Sequence, residues 1–199
     1  LTFASERVGL MPLNWEGESE LWVVPVDGGE AQRLDSGDAV MPSWSPNGHL
    51  IAFQTRLSTE SQMDIMTMPA QGGEPTPVLS DEATDWSPTW SPDGLWLSGV
   101  ANNLVAGWSV ARMSVSTGMV NPISRVDCCT PDWFPDSKRM IFSHRPGNQG
   151  GYGWTQLWMA DGDGGNRGLV FGEDGRHIYG GEVSPDMKYV VFTASTKDG

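Results

Sequence analysis

Apolar positions in this chain come in short runs, broken every few residues by Pro, Gly, Asn or Asp. The 3.6-residue spacing of an amphipathic helix is nearly absent, so the pattern predicts strands joined by tight turns. Residues 41–54, Met-Pro-Ser-Trp-Ser-Pro-Asn-Gly-His-Leu-Ile-Ala-Phe-Gln, are the clearest unit. Pro46 fixes φ near the turn value, and Asn47-Gly48 accept the positive φ of a tight hairpin. Ile51, Ala52 and Phe53 then make a brief buried strand. The unit returns at 87–98, 130–142 and 181–192. Trp44, Trp90, Trp133 and Val183 align at spacings of 46, 43 and 50 residues. A period in the forties with hairpin chemistry in each copy is a repeat signature. The three tryptophans each stand two residues before the turn proline and are expected at equivalent, inward-facing places.

Each unit has a second half, a strand ending in a glycine turn at 21–29, 64–73, 108–118 and 157–165. Closing strands follow at 31–34, 76–79, 120–123 and 168–171. Four short strands joined by short turns make the blade of a β-propeller, and blades bury their faces by stacking.

The stretches PSWSPNGHLIAF, PTWSPDGLWLS, PDWFPDSKRMIF and EVSPDMKYVVF, each followed by a strand like LWVVPVDGG, resemble the repeats of TolB-like propellers. The resemblance covers essentially the whole chain. It implies an all-β fold of four-stranded antiparallel blades, part of a six-bladed propeller. The expected divisions are a partial blade at 1–39, blades at about 40–84, 85–128 and 129–179, and a partial blade at 180–199. Numbering strands within a unit, the chain opens with second, third and fourth and closes with first and second. That order predicts an arc of a longer propeller, or an arc capped by a partner chain.

Composition narrows the partners. Twelve Lys and Arg against 25 Asp and Glu give a net charge of −13. An acidic surface opposes nucleic acid and anionic membrane, both of which need positive charge. No apolar run reaches the length of a transmembrane helix. The two cysteines, Cys128 and Cys129, are adjacent, which fits neither a disulfide framework nor a zinc site. They are read as small, half-buried thiols; a strained vicinal disulfide is the alternative.

Candidate chemistry is sparse. Residues 161–166, Asp-Gly-Asp-Gly-Gly-Asn, alternate oxygen ligands, but position 172 is Gly where a calcium loop needs a bidentate Glu. The matching turns at 27–29 and 71–73 make the segment a glycine turn. His49 is expected in solvent, within a hairpin turn. His144 and His177 fall where an axial channel or its mouth is expected, and are the candidate metal ligands. Oligogalacturonate lyases, propellers with this kind of repeat, hold a divalent metal with several histidines and a glutamine; His177 resembles one such position loosely, and the remaining cluster has no match. The loop 145–155 is long for a blade connection, and long loops on a rigid scaffold carry function. Its Asn148, Gln149, Tyr152 and Trp154 are the candidate partner-binding residues. The stretch 150–154 is Gly-rich yet lacks Gly-Lys-Ser/Thr, so it is no phosphate loop. No nucleophile motif occurs.

The reading is a non-enzymatic propeller scaffold that binds protein partners, with no cofactor. The TolB-like resemblance implies a bacterial periplasmic or extracellular setting and membership of a larger envelope complex. The alternative is a carbohydrate-active enzyme on the same wheel, dependent on a divalent metal.

Overall fold

The computed structural model describes residues 2–6, 19–55, 63–79, 83–102, 104, 107–124, 128–146 and 153–195. Among them every regular element is a strand: β1 Thr2–Glu6, β2 Ser19–Val23, β3 Gln32–Arg33, β4 Ala39–Trp44, β5 Leu50–Thr55, β6 Asp64–Pro69, β7 Thr76–Leu79, β8 Trp86–Trp90, β9 Trp96–Ala101, β10 Ser109–Ser114, β11 Val120–Pro122, β12 Cys128–Trp133, β13 Arg139–His144, β14 Gln156–Asp161, β15 Gly168–Phe171, β16 His177–Val183 and β17 Val190–Ser195. Their sheets run β1-β2-β3, β4-β5-β6-β7, β8-β9-β10-β11, β12-β13-β14-β15 and β16-β17. Three sheets therefore have four strands in chain order. The chain divides into two compact units, Leu1–Pro88 and Thr89–Gly199.

The hairpins β4–β5, β8–β9 and β16–β17 repeat one set of bonds. Ser45 Oγ accepts from the Leu50 N–H at 2.9 Å, and Asn47 Oδ1 lies 2.9 Å from the same hydroxyl. Ser91 does the same with the Trp96 N–H and Asp93, and Ser184 with the Tyr189 N–H and Asp186. Phe134 replaces the serine in the β12–β13 turn. There Asp136 accepts directly from the Lys138 and Arg139 N–H groups, and the Arg139 guanidinium holds it at 2.7 Å. The guanidinium also lies over the Phe134 ring, 4.4 Å from its centroid. Burial pushes the Asp136 carboxyl up, but these bonds outweigh it and hold the group below its ordinary value. The fourth turn position is left-handed in every copy, at Gly48, Gly94, Ser137 and Met187.

A second left-handed residue recurs three positions before the strand end. It is Met41 in β4, Ser87 in β8, Thr130 in β12 and Gly180 in β16, with φ of 54°, 57°, 49° and 62°. The register with the following strand shifts there in β4, β12 and β16. In these three strands it is a β-bulge that turns the next side chains onto new faces.

Trp44, Trp90 and Trp133 end their strands at the same place. Trp44 is cross-strand to Ile51 and Trp133 to Met140. Trp90 and Trp133 are buried, while Trp44 is half-buried at the margin of a cluster built on Leu21, Ile51, Phe53 and Met68. The middle strands β5, β9 and β13 are buried on successive residues, hence on both faces, as stacked sheets require. Across β13, Met140 and Phe142 enter one core with Val110, Ile123 and Trp133, whereas Ile141 enters another with Leu157, Ile178 and Val183.

Candidate functional site

The sequence-marked histidines lie at one end of the β12–β15 blade, on opposite faces of it. His144 is cross-strand to Cys128 and to Gln156. It follows Phe142 by two residues, so it shares that residue's face. Its Nδ1 lies 3.0 Å from the Cys128 sulfur, and its ring meets the edge of Trp158 at 5.1 Å. Trp158 donates its indole N–H to Gln156 Oε1 at 2.9 Å. Cys129 pairs with Ser143, which puts it on the other face from Cys128. The two sulfurs are thiols, Cys128 buried and Cys129 half-buried. Closing them into a disulfide requires dismantling the extended strand that sends them apart.

His177 sits on the far side, at the start of β16. The Thr155 backbone N–H donates to its Nδ1 at 3.2 Å, and the Thr155 hydroxyl lies 3.0 Å from the same nitrogen. The Ile178 N–H returns a bond to the Thr155 carbonyl at 3.0 Å. A backbone N–H can only donate, so Nδ1 is the acceptor and the neutral ring carries its proton on Nε2. Aromatic rings flank the imidazole, Trp154 at 5.0 Å and Tyr179 at 6.0 Å. The Tyr179 oxygen is 3.4 Å from the Thr155 hydroxyl. Of the loop residues singled out in the sequence, Trp154 is half-buried here; Asn148, Gln149 and Tyr152 lie outside the described residues.

This arrangement does not suit a divalent metal. Its two histidines face apart, and no His, Cys, Asp or Glu group of three gathers among the described residues. A metal on Nε2 needs the proton on Nδ1, where the Thr155 N–H already points. The oxygen-rich turn at 161–166 spends its carboxylates on itself. Asp163 accepts from the Gly165 N–H at 2.9 Å and Asp161 from the Asn166 amide at 2.5 Å.

On the face of the blade away from His144, toward β16, runs a polar ladder. Thr130 Oγ1 is 2.7 Å from Ser143 Oγ and accepts from the Gly180 N–H at 3.2 Å, joining one bulge to the next. Asp132 follows two residues after that bulge and Glu182 two after the other. Burial, aided by the charge of Glu182, pushes the Asp132 carboxyl up to about 6, against the lowering pull of the Trp133 N–H. Sequence reading missed Thr155, Tyr179 and Asp132, because their importance comes from partners 22, 24 and 50 residues away.

The fold has many solved counterparts. A TolB-type protein from Agrobacterium tumefaciens superposes with a TM-score of 0.74 at 20% identity, over 92% of this chain and 66% of that one. TolB from Acinetobacter baumannii gives 0.73 at 21% identity, over 96% of this chain and 46% of its own. An oligogalacturonate lyase in complex with manganese gives 0.67 at 14% identity, over 92% and 55%. No family model and no curated protein sequence matches. At these identities the likeness is one of fold: the chain is an all-β, TolB-like β-propeller in four-stranded antiparallel blades. It spans about two thirds and just under half the length of the two TolB structures.

Proposed function

We propose that this chain is a non-enzymatic propeller scaffold that binds a protein partner in the bacterial envelope, periplasmic or extracellular. The observation that carries this is the Trp154–His177–Tyr179 stack, three half-buried rings seated on Thr155 where the 145–155 loop rejoins its blade. Aromatic side chains fixed on a rigid frame anchor protein partners well, because little side-chain freedom remains to be lost on binding. The TolB-like repeats support the envelope setting. The acidic surface favours a partner that is not itself strongly acidic. The function needs no cofactor in this reading.

The test is capture of a periplasmic partner by cross-linking, with wild type and with the Trp154→Ala/Tyr152→Ala double variant. The expected result is weaker capture by the variant at nearly unchanged thermal stability. A large stability loss instead assigns these rings to blade packing. Metal analysis of the purified protein addresses the rival enzyme. Stoichiometric manganese, calcium or zinc would reinstate a metal-dependent carbohydrate-active enzyme.

A further inference from the structure

We infer that His177 Nε2–H and the Tyr179 hydroxyl form a donor pair for a main-chain carbonyl of a bound peptide, whose apolar side chain lies on Trp154. This rests on the scaffold reading and names the chemistry of its contact. The Thr155 N–H fixes the imidazole with Nδ1 as acceptor, 3.2 Å away. The neutral ring thus carries its only N–H on Nε2, for which no partner is seen among the described residues. The Thr155 hydroxyl, 3.0 Å from Nδ1 and 3.4 Å from the Tyr179 oxygen, offers its one hydrogen to these two acceptors and takes none from the phenol, whose own hydrogen is left to be given elsewhere. Trp154 stands 5.0 Å from the imidazole and tilted 58° to it, so one wall is apolar while the other two present N–H and O–H. Two donors beside an aromatic face match an acceptor flanked by hydrocarbon, which is the composition of a peptide unit. With a net charge of −13 on the chain, a neutral carbonyl is favoured over a carboxylate.

Two substitutions separate the nitrogens. His177→Asn places an amide oxygen near Nδ1, so the Thr155 N–H keeps its acceptor while the outward donor is lost. His177→Gln places an amide N–H near Nε2 and keeps the donor. The probe is a phage-displayed library of twelve-residue peptides selected on the wild-type protein, with an array of neutral oligosaccharides alongside. Selected peptides are expected to bind about tenfold more weakly to His177→Asn and to Trp154→Ala, with much of the affinity retained by His177→Gln. Thermal melting should be unchanged in His177→Asn. Nitrogen-15 spectra of the imidazoles should place the His177 proton on Nε2 and shift that nitrogen on peptide addition. A proton found on Nδ1 overturns the inference, as does oligosaccharide binding with this residue dependence. Peptides that bind all variants equally overturn it while leaving the scaffold reading intact. A library yielding no binder removes both.

Discussion

Asp132 is a residue whose ionisation the fold opposes. Its folded value of about 6 lies above the ordinary 3.8, so the charged form works against the native state. That penalty is fully present above pH 6, shrinks as the pH falls through the folded value, and is gone below 3.8. Asp132→Asn is therefore expected to be the more stable protein at pH 7.5, by roughly 1–2 kcal/mol given partial solvent screening. The two melting curves should converge as the pH approaches 4; a constant offset would show that the carboxyl is not the cause. Gly181 is constrained by contact rather than by charge. A methyl there would stand 2.5 Å from Leu157 Cδ1 and 3.3 Å from Ile141, both fully buried. Gly181→Ala should cost about 1–3 kcal/mol in urea unfolding, the ordinary range for overpacking.

At the scale of the hairpin, one turn is made in two chemistries. Ser91 is fully buried and closes its turn through a hydroxyl, so Ser91→Ala should cost about 1–3 kcal/mol by leaving the Trp96 N–H without its acceptor. In the copy with Phe134, Asp136 and Arg139 carry the closure, and Phe134→Ser should leave stability less dependent on Arg139. Melting of Arg139→Ala in both backgrounds measures that coupling. Met187, left-handed at φ 58°, has glycine counterparts in two other turns; Met187→Gly is expected to be neutral or stabilising by up to about 1 kcal/mol. These turns were legible in the sequence because Ser-Pro-Asn-Gly and Ser-Pro-Asp-Gly state the backbone they need. The left-handed strand positions were not, since Met41, Ser87 and Thr130 are residues without left-handed preference and only Gly180 announces itself. Repeat spacing likewise predicted equivalent tryptophans, yet not that Trp44 is the least covered. The candidate site was legible only in part. His177 and Trp154 stood out by residue type. The bond that sets the histidine's proton comes from Thr155, 22 residues away, and follows from blade packing alone.

Across the molecule, coverage of the middle strands is uneven. Ala52 and Ile141 are 0% exposed, whereas Val191, at the same register position in β17, is 66% exposed. Among the described strands β17 has a sheet neighbour on one side alone, while β5 and β13 lie between neighbours. Val191→Lys should leave stability within about 0.5 kcal/mol and reduce self-association in sedimentation runs, while Ile141→Lys should unfold the protein. The burial of Asp132, with the charge of Glu182 acting on it, has a thermodynamic corollary. Near pH 5 the native protein holds a proton that the unfolded chain gives up. Unfolding there releases most of one proton from this carboxyl into the solvent. The calorimetric heat at that pH will then carry a share that follows the buffer's own heat of ionisation, and Asp132→Asn will remove that share.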